Sequence, residues 1–228
     1  MTEWTAGTNL AIALAAFLLG WYFIGLYINR RRAGQLVRQV RDSLQQFGGA
    51  ATIRWIGRSA FRIEADKLHA PLTALGVSLL LEPRETFLLW IAGRWSGRRD
   101  WLMIGVTLNG SVKGVFEAYH PKRRGAMDSA REIRSLGWQA APSPGRPELL
   151  CAAPGPDGRA LAQEVLSALR GVAVWCVRVR NKAPQLTISL PIPASETRVP
   201  LPVFPLVPQL ANLILARGMA DPIEKEDV

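Results

Sequence analysis

Nineteen consecutive residues without a charge, Leu10 to Ile28 (LAIALAAFLLGWYFIGLYI), constrain this chain more than any other feature. As a helix rising about 1.5 Å per residue they reach about 28 Å, close to the ~30 Å hydrocarbon thickness of a bilayer. Trp21, Tyr22 and Tyr27 gather in the second half, as expected where a spanning helix nears the headgroups. Arg30, Arg31 and Arg32 follow at once, with Arg38 and Arg41 beyond, whereas residues 1–9 carry only Glu3. The positive-inside rule therefore predicts a single-pass protein with residues 1–9 outside, a membrane helix over 10–28 and the remainder cytoplasmic. The membrane is the plasma membrane in a prokaryote and the endoplasmic reticulum in a eukaryote. A cleaved signal peptide has its basic residues ahead of the apolar run and small residues behind it. Here the basic residues lie on the other side, so the run reads as a retained anchor.

The helix is expected to continue through a basic juxtamembrane segment, 29–49. Leu36, Val40, Leu44 and Phe47 recur at helical spacing until Gly48 and Gly49 stop the pattern. Such a stripe can lie on anionic lipid; the commoner arrangement packs it on the following domain, and that is the expectation.

Residues 50–217 read as one domain. Thr52 to Ile63 alternates about Gly57 like a β-hairpin, Val77 to Leu81 reads as a strand, and Pro83 opens a short helix over Arg84 to Ala92. The segment RWSGRRD follows as a loop. Trp101 to Leu108 is a strong buried strand, and Asn109-Gly110 signals a turn into a partner strand, Val115 to Tyr119. A helix over Ala126 to Leu136 presents Met127, Ala130, Ile133 and Leu136 on one side; APSPGRP is a loop, and Glu148 to Ala153 a short strand. A helix capped by Asp157 runs to Gly171, with Leu161, Val165 and Ala168 inward. Val172 to Val179 and Gln185 to Leu190 are strands joined by a turn at Asn181. Prolines break up Pro191 to Pro208, a last helix covers Pro208 to Arg217, and 218–228 is an acidic tail. Strands intermixed with short helices predict an α+β domain with a mixed or antiparallel sheet.

The chemistry of an enzyme is not legible. The two histidines, His69 and His120, have no metal-ligand spacing, and no phosphate-cradling loop or nucleophile elbow occurs. Cys151 and Cys176 sit in apolar runs and read as buried thiols. Glu117, in a predicted strand, is the one carboxylate that is a candidate for burial, and an exposed strand edge is the commoner placement and the expectation. The chain is thus read as non-enzymatic, with no cofactor and no metal.

The positive signal is charge. The net charge is +10, and 23 of the 28 basic residues are arginine. Arg94, Trp95, Arg98 and Arg99 form an aromatic–basic cluster, and Lys122, Arg123 and Arg124 a second. With the membrane-flanking Arg30, Arg31 and Arg32 they are candidates for a partner-binding or phosphate-binding surface. Each basic residue near an anionic bilayer contributes about 1 kcal/mol. An RNA surface would use the same residues, with Trp95 to stack; a solvated basic face is the alternative, and no DNA partner is expected.

The order of segments adds a resemblance. A span and basic helix precede PRETFLLWIAGRWSGRRDWLMIGVTLNG, VFEAY and a helix ending REIRSL. PELLCAAP, DGRALAQEVLSAL, VWCVRV, LTISLPIP and LPVFPLVPQLANLIL follow in order. This order resembles the calumin-like family, the coiled-coil-containing membrane subunit of the eukaryotic multipass translocon, over most of residues 10–217. The resemblance implies a non-enzymatic, translocon-associated chaperone for membrane-protein biogenesis. Its implied partners are the Sec channel, the ribosome and a small membrane protein, with an Oxa-type insertase as a prokaryotic counterpart. The chain departs from the family in lacking a long acidic lumenal region and a basic C-terminal coiled coil, so calcium binding is not implied. An anionic-lipid-binding or regulatory module is the alternative function.

Overall fold

One helix, α1 (Thr2–Gln45), runs unbroken through both the apolar run and the amphipathic segment behind it. It is long and apolar enough to cross a membrane. The computed structural model describes residues 2–57, 59–123, 125–193 and 201–219. The two ends of α1 meet different surroundings. Leu10, Ile12, Leu14, Phe17, Leu18 and Leu19 are exposed, whereas Ala33, Leu36, Val40 and Leu44, with Phe47 just beyond the helix, are buried in the main core. The expected docking of this stripe on the domain is therefore realised. Burying such a side chain contributes about 1.5–3 kcal/mol, more than a single contact with anionic lipid. Gly48 and Gly49 end the helix with φ of 73° and 81°, a left-handed conformation that favours glycine.

The domain is built on a nine-stranded sheet, antiparallel throughout, in the order β1-β2-β3-β4-β9-β8-β5-β7-β6. The strands are β1 (Ala50–Trp55), β2 (Ala60–Asp66), β3 (Leu72–Leu80), β4 (Asp100–Leu108), β5 (Phe116–Tyr119), β6 (Ala140–Ser143), β7 (Arg146–Ala152), β8 (Cys176–Val179) and β9 (Leu186–Ile192). Alternation decides which face each residue takes. Phe61, Ile63, Val77, Leu79, Leu102, Ile104, Ile188 and Leu190 point to an inner face packed against the end of α1, α4 (Pro156–Ala168) and α5 (Val207–Met219) with its preceding 3-10 turn, while the edge strand β1 is exposed along its length. The outer face is only half covered. Helix α3 (Ala126–Ser135) lies over β5, β7 and β8, closing a second small core of Tyr119, Ala126, Ile133, Ala152 and Cys176. Over β2, β3, β4 and β9 no helix covers the outer face, where Gly76, Ser78, Met103, Thr107 and Thr187 are half-buried and Arg62 and Glu64 exposed.

The α+β class and the antiparallel sheet match the sequence reading; several local expectations do not. Asn109-Gly110 does not close a hairpin, because β3 and β9 occupy both edges of β4, and β5 instead pairs with β7 and β8. The stretch read as a loop, APSPGRP, contributes β6 and the start of β7. Helix α2 runs Phe87–Trp95, so Arg94 and Trp95 belong to it and not to a loop. On α3, Met127 (77%) and Leu136 (48%) are exposed; the buried side is Ala126, Ser129 and Ile133. Helix α4 opens with Pro156, placing Asp157 in its first turn and not at its cap. β8 begins only at Cys176. The acidic tail, 220–228, lies outside the described residues, as do 194–200 of the proline-rich segment.

Because the α1 stripe is core, Leu44→Ala should lower unfolding stability of the detergent-solubilised chain by about 2–5 kcal/mol. Arg38→Ala, on the exposed side of the same helix, should stay within about 0.5 kcal/mol in the same denaturant titration.

Candidate functional site

The bare half of the outer face is positioned by a polar junction between α1, the segment before α2, and the start of β4. Asp100, fully buried, accepts the backbone N–H of Glu82 (2.7 Å) and two hydrogen bonds from Arg84 (2.9 and 3.1 Å); Arg32 approaches to 2.7 Å from α1. Asn29, the first polar residue after the apolar run, donates to the Glu82 carbonyl (3.0 Å) and to Glu85 (2.8 Å), and accepts from Arg84 (2.9 Å). Arg32 also donates to the Pro193 carbonyl. Of the three predicted flanking arginines, Arg30 and Arg31 are exposed, whereas Arg32 is turned inward to Asp100.

Beside this junction opens a cleft of about 680 Å³. Arg98 and Arg99 enter it from the segment behind α2, Arg123 from the turn before α3, and Arg178 from β8; Trp101, Trp175, Leu80 and Leu81 supply apolar wall. The structure thus brings together three of the predicted basic residues, from both clusters. It separates the others. Arg94 and Trp95 are exposed on α2, Lys122 is exposed in its turn without lining the cleft, and Arg124 lies outside the described residues.

Three carboxylates, Glu82, Asp128 and Glu132, line the same cleft, so its four arginines leave an excess of only one positive charge. Glu82 is the unusual member. Its side chain is 4% exposed, its nearest cation is Arg84 at 3.8 Å, and neither carboxylate oxygen receives a hydrogen bond among the described residues. A buried acceptor without a donor costs about 1–3 kcal/mol. The cleft continues into a second, of about 820 Å³, along the bare sheet, sharing Glu132 and Arg178 and floored by small residues including Gly76, Ser78, Gly105, Thr107 and Thr187.

The wall between the bare and covered halves is a buried ion cluster that the sequence reading missed. Glu117 is not at an exposed edge: it is fully buried and opposite Arg178 in register. Arg178 grips it with two hydrogen bonds (2.9 and 3.0 Å), Arg180 adds one (2.6 Å), and both arginines reach Glu132 (3.1 and 3.2 Å). The Arg180 guanidinium also stacks over Trp138 at 5.0 Å. Burial alone would raise the Glu117 carboxyl, but hydrogen bonds from Arg178 and Ser129 and the charges of Arg178 and Arg180 outweigh it and hold the carboxyl below its usual range. The signal available was period two: Arg178 and Arg180 alternate onto one face, where a buried carboxylate can meet both. Cys176 and Cys151 are free thiols that burial pushes up to about 11, so both stay protonated at neutral pH. Among the described residues no group of three or more His, Cys, Asp and Glu side chains could hold a metal ion.

Glu117→Gln should cost about 2–4 kcal/mol of stability at neutral pH, because the paired arginines lose their counter-charge. With a lowered folded pKa, the Glu117 contribution is complete above the unfolded value near 4.5 and disappears as pH falls through the folded one. The gap between wild type and variant in denaturant titrations should therefore close in acid.

The chain matches no protein-family model and no curated protein sequence.

Proposed function

We propose that this chain is a non-enzymatic, membrane-anchored scaffold that holds polar segments of other membrane proteins while they insert or assemble. In this reading α1 is the anchor, residues 1–9 are outside, and the domain sits at the cytoplasmic membrane surface. The observation that carries the proposal is the half of the outer sheet face that no helix covers, continued by a cleft lined with both arginines and carboxylates. A long mixed-charge trough with small residues on its floor fits an extended polypeptide, whose N–H groups and basic side chains suit Asp128 and Glu132 and whose carbonyls and acidic side chains suit Arg98 and Arg99. The resemblance in segment order to the calumin-like family supports membrane-protein biogenesis as the setting. Its partners are then the Sec translocon, an Oxa-type insertase or a ribosome, with a small membrane protein alongside. A second reading, an anionic-lipid-regulated module, is favoured by one placement: Arg98 and Arg99 directly follow α2, which packs on the apolar helix.

A photo-crosslinker replacing Met103, on the trough floor, should trap newly made membrane proteins or translocon or insertase subunits in intact cells. Gly76→Leu fills the floor without a backbone clash, since the nearest atom to an added Cβ is the Arg62 guanidinium at 3.9 Å. It should lower the crosslink yield about tenfold, equivalent to about 1.4 kcal/mol of binding. Crosslinks to lipid alone, weakened by Arg98→Glu with Arg99→Glu and by salt, would replace the scaffold reading with the lipid one.

A further inference from the structure

We propose that α2 (Phe87–Trp95) is a second membrane element, a short helix embedded in one leaflet beside α1 with its outward face against lipid acyl chains. The proposal rests on the reading of α1 as a membrane anchor.

Depth is the deciding quantity. The Phe87 ring packs edge-on against Phe17 (5.2 Å) and Trp21 (4.9 Å), and the Trp90 ring lies 5.2 Å from Trp21. Both α1 residues lie well inside Leu10–Ile28. Along one unbroken helix, Trp21 is about 10 Å and Phe17 about 16 Å beyond Ile28. If α2 were in water, hydrocarbon could begin only past Phe17. That would leave only Leu10–Ala16 of the apolar run, a length of about 10 Å, which is a third of what a bilayer requires. A spanning α1 therefore carries α2 into the leaflet with it.

The helix is made for that place. Of FLLWIAGRW only Arg94 is charged, and the helix is too short to cross by itself. Its outward side chains are apolar and bare: Leu88 is 72% exposed, Leu89 55% and Trp95 87%. Leu88, Ala92 and Trp95 stand at i, i+4 and i+7, one continuous stripe. At its C-terminal end the backbone carbonyls are satisfied from within, as hydrocarbon demands. The Ala92, Gly93 and Arg94 carbonyls accept the N–H groups of Ser96, Arg98 and Gly97, and the Ser96 hydroxyl also donates to Gly93. At the other end, Trp21 donates its indole N–H to the Arg84 carbonyl at 2.9 Å. Gly25 allows this approach, because a Cβ there would stand 2.3 Å from that same oxygen. Arg94, at the last turn, can extend to the headgroups along its aliphatic stem.

The test uses the full chain, with Cys151 and Cys176 replaced by alanine, reconstituted in bilayers. Single nitroxides replace Leu14 on α1, Leu88 on α2 and Ser111, which is exposed at the far end of β4. Collision with oxygen reports lipid, and collision with a water-soluble nickel chelate reports water. The label at 88 should behave like that at 14, relaxed by oxygen and shielded from nickel, while 111 shows the reverse. An 88 label as nickel-accessible as 111, with 14 still in lipid, overturns the inference and leaves the anchor standing. Shielding of 88 from both reagents also overturns it, since a second copy of the chain would then cover α2. Nickel access at 14 removes the anchor reading itself, and this inference with it.

Discussion

A single buried carboxylate fixes how the two parts of this molecule are joined. Asp100 receives Arg32 from α1, Arg84 from the segment before α2 and the Glu82 backbone N–H, so three stretches distant in sequence meet at one point. Apolar packing of Leu36, Val40 and Leu44 holds α1 against the sheet but is not directional. The contacts of Arg32 with Asp100 and of Asn29 with Glu82, Glu85 and Arg84 are directional, and they set the rotation of the domain about the helix. A buried ion pair has a large desolvation cost and is poor support for stability by itself. Here the registry that it imposes is the stronger effect, because it determines which segment climbs along the apolar half of α1.

That registry gives one helix two solvents. From Leu10 to Ile28 its side chains are apolar on every side and exposed except where α2 and its leading segment pack at Trp21 and Gly25; below Arg32 only one stripe is apolar, and it is buried. Asn29 and Arg32 mark the change, and both are bonded to the domain. An unbroken helix transmits orientation, so the sheet stands at a set angle and distance from the apolar segment. A flexible linker at this position would leave both undetermined.

Local periodicity made much of this legible: the apolar run, the stripe from Leu36 to Phe47, the stop at Gly48-Gly49 and most strands are visible as spacing. What periodicity does not carry is long-range pairing. Asn109-Gly110 is a strong hairpin signal, but strand partners are chosen by the whole sheet, and β9, more than 75 residues on, takes the place next to β4. Glu117 looked like a surface residue because its counter-charges lie about 60 residues away in β8 and beyond, at Arg178 and Arg180. Asp100 hid for the same reason, in front of a strongly apolar strand. Of the candidate site, Arg98, Arg99 and Arg123 could be named from charge clusters, while Glu82 and the carboxylates facing them could not.

The same pairing changes what the net charge of +10 means. Arg32, Arg84, Arg146, Arg178, Arg180 and Arg217 are all engaged with carboxylates, so these six are neutralised in place and the net excess is carried by the other basic residues. The exposed trough is close to charge-balanced, a poor match to a polyanion and a good one to polypeptide. Apart from Met103, its floor is built largely of small residues, with glycine, serine and threonine where the inner face carries leucine and isoleucine. A bare sheet face of that composition resists self-association yet stays open to polar chain. Apolar exposure is instead concentrated at the level of the apolar helix, on α1 and α2. Polar and apolar surfaces are thus separated by height along a single rigid axis. A protein that meets both the loops and the spans of its clients in the proposed way needs that separation.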